Sequence, residues 1–183
     1  YSGKNKEQLL AIFETLLRTK PVQTIRADVE AIKIAFYKNY RNEVDQLRKL
    51  FVESGGNSED FVPPANEAEQ QFKTLFAEYR EKRNEFIARL DAEKEANYQT
   101  KLQIIEELKE LVNSNETLNQ TFNTFRELQQ RWKETGLVQQ SVMKDLWETY
   151  NLHVENFYNF IKINKELRDL DLKKNYEAKI ALC

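Results

Sequence analysis

Apolar side chains recur along most of this chain at steps of three and four, the period of one helix face. The pattern is sharpest over residues 118–161. Leu118, Phe122, Phe125, Leu128 and Trp132 mark one face, and Val142, Leu146, Tyr150, Val154, Phe157 and Ile161 mark a second. Gly136 stands between the two series. It is expected to end the first helix in the left-handed conformation that glycine alone adopts freely. The two faces then close as an antiparallel helical hairpin.

The same period predicts the other elements. Residues 5–18 read as a helix with Leu9, Ile12, Phe13, Leu16 and Leu17 on one side. Thr19-Lys20-Pro21 interrupts it. Thr19 suits an N-cap and Pro21 a first turn, so a second helix is expected from Val22 to Val52. Residues 54–66 hold two of the four glycines and two of the three prolines, and read as a linker.

No breaker occurs from Glu67 to Val112, which predicts a single helix of about 45 residues, about 68 Å long. That exceeds one compact core, so this helix is expected to serve two bundles. Asn113-Ser114-Asn115 then breaks the pattern and is expected to cap the next helix, with Glu116 in its first turn. The hairpin's second arm runs on through Leu167, Leu170, Leu172, Tyr176 and Ile180. Asp45–Lys49, Glu78–Lys82, Glu85–Arg89, Glu127–Arg131 and Asp169–Lys173 are spaced to pair along exposed faces.

The chain also matches itself. Lys6-Glu-Gln-Leu-Leu lines up with Lys101-Leu-Gln-Ile-Ile, and Val29, Ile32 and Phe36 fall on Phe125, Leu128 and Trp132. Leu75-Phe76, Tyr79, Phe86 and Leu90 fall on Leu146-Trp147, Tyr150, Phe157 and Ile161. Asn97-Tyr98 and Lys101-Leu102 match Asn175-Tyr176 and Lys179-Ile180. These matches predict a divergent first three-helix repeat over 5–96 and a second over 97–174. Residues 175–183 read as the opening of a truncated third. The expected fold is all-α: elongated tandem three-helix bundles with coiled-coil-like packing that share long continuous helices.

Trp132-Lys133-Glu134-Thr135-Gly136-Leu137-Val138, then Leu146-Trp147 with Tyr150, then Phe157-Tyr158, resemble the repeats of one bacterial family, "domain of unknown function 349". The Asn97-x-x-x-Lys101-Leu102 and Asn175-x-x-x-Lys179-Ile180 elements are similar to its repeat junction. The resemblance is good over 97–183 and partial over 6–96, where Tyr37-Lys38-Asn39-Tyr40 replaces the tryptophan–glycine turn. It implies a bacterial, cytoplasmic, multi-repeat helical protein and supplies no catalytic residue.

Composition narrows the chemistry. Charged side chains make up 32% of 183 residues, but 28 basic and 30 acidic ones are intermixed. A general phosphate-backbone binder is therefore disfavoured, although a local patch is left open. No apolar run is long enough to span a membrane, and YSGKNKEQ has no signal-peptide core. The missing initiator methionine and a stop inside a helical pattern point to a fragment of a longer chain. The single cysteine, Cys183, fits a reducing compartment.

His153 is the one histidine, too few for a zinc or di-iron set. Glu106, Glu107 and Glu110 read as a solvated face, and Gly55-Gly56 lacks the strand–loop–helix setting of a phosphate loop. No catalytic, cofactor-binding or metal site is expected. The candidate partner-binding or turn-sealing residues are Trp132, Gly136, Trp147 and Tyr150. Lys162, Lys165, Arg168, Lys173 and Lys174 form a candidate basic face. The function expected is a non-enzymatic scaffold for a protein partner, which the sequence does not identify. The alternative is a nucleic-acid- or ribosome-associated factor using the basic face. Oligomeric state is left open.

Overall fold

A computed structural model describes residues 1–114 and 117–181. It contains five α-helices: α1 (Lys6–Thr19), α2 (Arg26–Glu53), α3 (Glu67–Leu111), α4 (Leu118–Glu134) and α5 (Gln140–Ala181). No strand occurs among the described residues, and the helices pack on one another as the all-α reading requires. The chain divides into two compact units, Tyr1–Arg89 and Leu90–Cys183.

In the first unit, α1 begins where local chemistry favours it. The Asn5 side chain accepts from the Gln8 N–H at 2.8 Å, and the Gln8 side chain accepts from the Asn5 N–H at 3.1 Å. This capping box satisfies two helix-end donors at once. The Thr19 hydroxyl, expected to cap the next helix, instead donates to the Thr15 carbonyl at 2.7 Å. Pro21–Thr24 forms a turn, with the Thr24 N–H on the Pro21 carbonyl at 3.0 Å. So α2 starts at Arg26, four residues later than expected, behind Ile25, which makes no side-chain cap. Ile25 is buried. Burying such a side chain contributes about 1.5–3 kcal/mol, more than the roughly 1 kcal/mol of an ordinary cap.

The first core joins Leu9, Phe13 and Leu17 of α1 with Val29, Ile32 and Phe36 of α2 and Phe72 and Tyr79 of α3. Phe36 stacks on Phe72 with ring centres 4.4 Å apart. Between α2 and α3, Gly55 takes a positive φ of 98° that a side chain would strain. A Cβ on Gly56 would strike the Phe51 ring, which packs on Phe61.

In the second unit, Ile104, Ile105, Leu108 and Leu111 of α3 meet Phe125, Leu128 and Trp132 of α4 and Leu146, Tyr150 and Phe157 of α5. Phe125 stacks on Phe157 at 4.0 Å and Trp132 on Tyr150 at 3.8 Å, so α4 and α5 run antiparallel. The cap of α4 differs from expectation. Thr117, not the Asn113–Asn115 stretch, closes a capping box with Gln120. Asn115 and Glu116, named above as cap and first-turn residues, lie outside the described residues, as do Leu182 and Cys183.

The expected Glu78–Lys82 pair forms at 2.7 Å. Arg131, expected to pair with Glu127, turns to Glu107 on α3 through two bonds of 2.7 and 3.2 Å. A two-pronged guanidinium–carboxylate contact between helices is stronger than a four-apart pair on one helix. From Lys162 to Ala181, α5 buries no side chain.

Each stacked pair should hold its own unit. Phe36→Ala and Phe125→Ala are each expected to cost about 3–5 kcal/mol. Native-state amide exchange would locate the loss in residues 1–89 for the first and 90–181 for the second.

Candidate functional site

The corner where α4 turns into α5 is built on an unexpected use of glycine. Thr135 ends α4 in extended backbone, its N–H bonded to the Arg131 carbonyl at 2.9 Å. Gly136 is not left-handed; the positive-φ glycines are Gly3 and Gly55. The reason for a glycine is space. A Cβ there would lie 2.8 Å from Asn97 Nδ2, and that nitrogen donates to the Leu137 carbonyl at 2.9 Å. Asn97, on α3, therefore pins the turn through a gap that a Cβ would close unless the amide shifted. The Gln139 amide donates to Asp91 at 3.2 Å and ties down the far side of the loop.

Above this pin lies the aromatic cluster. Trp132 and Tyr150 are buried and stacked, with rings 9° from parallel. Lys101, one helical turn beyond Asn97, places Nζ 4.6 Å from the Trp132 ring centre. Such a contact is worth about 0.5–1 kcal/mol at an accessible site. Burial pushes the Lys101 ammonium below the usual lysine range. Burial also raises the Tyr150 phenol, with Tyr158 adding to the rise and a hydrogen bond from Gln129 opposing it.

Trp147 is placed differently. Its ring lies 6.4 Å from Trp132 and 5.9 Å from Tyr150, yet 54% of the residue is exposed. Met143, one turn earlier on α5, is also about half exposed. Of the four residues singled out, Trp132 and Tyr150 are core, Gly136 admits the pin, and Trp147 alone offers a large apolar surface to solvent.

The candidate basic residues do not converge. Lys162, Lys165, Arg168, Lys173 and Lys174 are all exposed on α5, and none forms an ion pair within the described residues. At 3.6 residues per turn, Lys174 lies on the opposite side of the helix from Lys165. His153 is half-buried, and burial, followed by the nearby Lys109, holds its imidazole below the usual range while Glu106 opposes. No cluster of three metal-capable side chains occurs among the described residues. No described helix is long and apolar enough to cross a membrane.

Two side chains that carry the corner, Asn97 and Lys101, were legible only as a repeat-junction motif. Their contact with the tryptophan–glycine turn is set by tertiary packing. The paired occurrence of the two motifs was the available signal.

The helices and their two apolar cores define an all-α protein. Residues 67–141 match the model of the family described as Domain of Unknown Function (DUF349), which supports assigning this stretch to that family. The match takes in α3, α4 and the Trp132–Gly136 turn and ends just inside α5. Leu146, Trp147, Tyr150 and Phe157, which carried part of the sequence resemblance, lie beyond it. No curated protein and no solved structure matches the chain.

Gly136→Ala should break the Asn97 bond and cost about 1 kcal/mol, as Asn97→Ala should. Because both remove one interaction, the double variant should be little worse than either single one. Additive losses in urea titrations would contradict the pin.

His153 predicts a pH slope. Its folded pKa is depressed, so below the unfolded value of about 6.5 the unfolded chain binds the proton first and stability falls. His153→Gln should flatten the decline between that value and the lower folded pKa, measured by thermal melts across the range.

Proposed function

We propose that the chain is a non-enzymatic helical scaffold that offers the Trp147 face to another protein in the bacterial cytoplasm. The observation that carries this reading is the half-exposed Trp147, steadied against Trp132 and Tyr150 with Met143 one turn away. Tryptophan and methionine are enriched at protein interfaces, and a ring already held by its neighbours loses little freedom on binding. An amphipathic helix laid against α5 is the partner type such a ridge suits. A low cysteine content agrees with a reducing compartment.

The nucleic-acid alternative draws on five exposed, unpaired cations of α5. They are spread around the helix and interrupted by Glu166, Asp169 and Asp171, which leaves no continuous track for a phosphate backbone. The protein reading is therefore preferred.

Trp147→Ala should leave the melting temperature nearly unchanged and abolish partner capture from the source cells. Identical sets of bound proteins for the wild-type chain and the variant would sink the reading.

A further inference from the structure

Asn97, Tyr98, Lys101 and Leu102 act together as a seat for the Trp132–Gly136 turn. Asn97 bonds the carbonyl after the glycine, and Lys101 lies over the tryptophan. Tyr98 and Leu102 pack against the second core, and all four side chains are half-buried. The same pattern, with isoleucine in place of leucine, stands at the same spacing on α5 as Asn175, Tyr176, Lys179 and Ile180. There every one is exposed, Tyr176 by 66% and Ile180 by 57%.

We infer that Asn175–Ile180 is a docking seat for a further helical hairpin whose turn carries the pattern Trp-x-x-x-Gly. The occupied seat on α3 specifies the chemistry. The Asn175 carboxamide donates to the carbonyl following the occupant's glycine, which must lack a Cβ for the approach. The Lys179 ammonium lies on the occupant's indole face, and Tyr176 and Ile180 cover the apolar side of the hairpin. A nonspecific apolar surface would require neither the asparagine nor the glycine. This seat is separate from the Trp147 face and stands or falls without it.

The test uses the full chain extended past Cys183 by a second copy of residues 106–161, which continues the match of 97–105 with 175–183 in phase. The appended hairpin is expected to fold onto α5 and slow amide exchange over 172–180 by about tenfold or more. Asn175→Ala combined with Lys179→Ala should remove most of that protection. Replacing the glycine of the appended turn by valine should do the same. Unchanged exchange over 104–161 of the parent chain shows that its own fold is intact in every variant. The inference is overturned if the extension leaves 172–180 unprotected, or if the protection survives both sets of substitutions.

Discussion

One hydrogen bond, from the Asn97 side chain to the Leu137 carbonyl, sets the geometry of the second unit's corner. It ties α3 to the loop between α4 and α5, and the Gln139–Asp91 bond holds the far side of the same loop. With the loop held, Trp132 comes to rest between Lys101 and Tyr150, and the antiparallel register of the two helices carries the stack on to Phe125 and Phe157. Apolar burial supplies most of the free energy here, but burial is non-directional. The amide contact and the Arg131–Glu107 bridge supply direction.

Aromatic side chains dominate both cores for a reason of scale. Each unit has fewer than a hundred residues, and nearly a third of the whole chain is charged. Few interior positions are available, so each must remove much surface from water. A phenylalanine or tryptophan buries more area than an aliphatic side chain and gains further from offset stacking. The Phe36–Phe72 and Phe125–Phe157 pairs meet that demand in the two units. The two cores are not superposed copies, however. Phe36 aligns in sequence with Trp132, yet it stacks on Phe72, whereas Trp132 stacks on Tyr150, which aligns with Tyr79.

The helical architecture was legible because periodicity and breakers are local. The 45-residue run of α3 shows as an absence of glycine and proline, and the linker shows as their concentration. Misreadings arose where a local rule competed with packing. Thr19 had a capping chemistry available but found a nearer acceptor in Thr15. The Thr117-x-x-Gln120 box is written in the sequence, but the asparagines before it offer the same capping chemistry and compete with it as a local signal. A glycine at a helix end most often answers to left-handed backbone, but Gly136 answers to a neighbour from a distant helix. At the candidate site, residue identity could be read, but the division between buried Trp132 and Tyr150 and exposed Trp147 depends on rotation of α5, which periodicity fixes only coarsely.

The vacancy at position 136 has a consequence for how such chains diverge. Lys133 and Glu134 point to solvent and are free to drift, because the turn demands no rare backbone torsion of them. The hydrogen at 136 answers instead to a carboxamide far upstream. Once either residue is lost the other is no longer constrained, so the informative signature of this corner is a correlated pair and not a contiguous word.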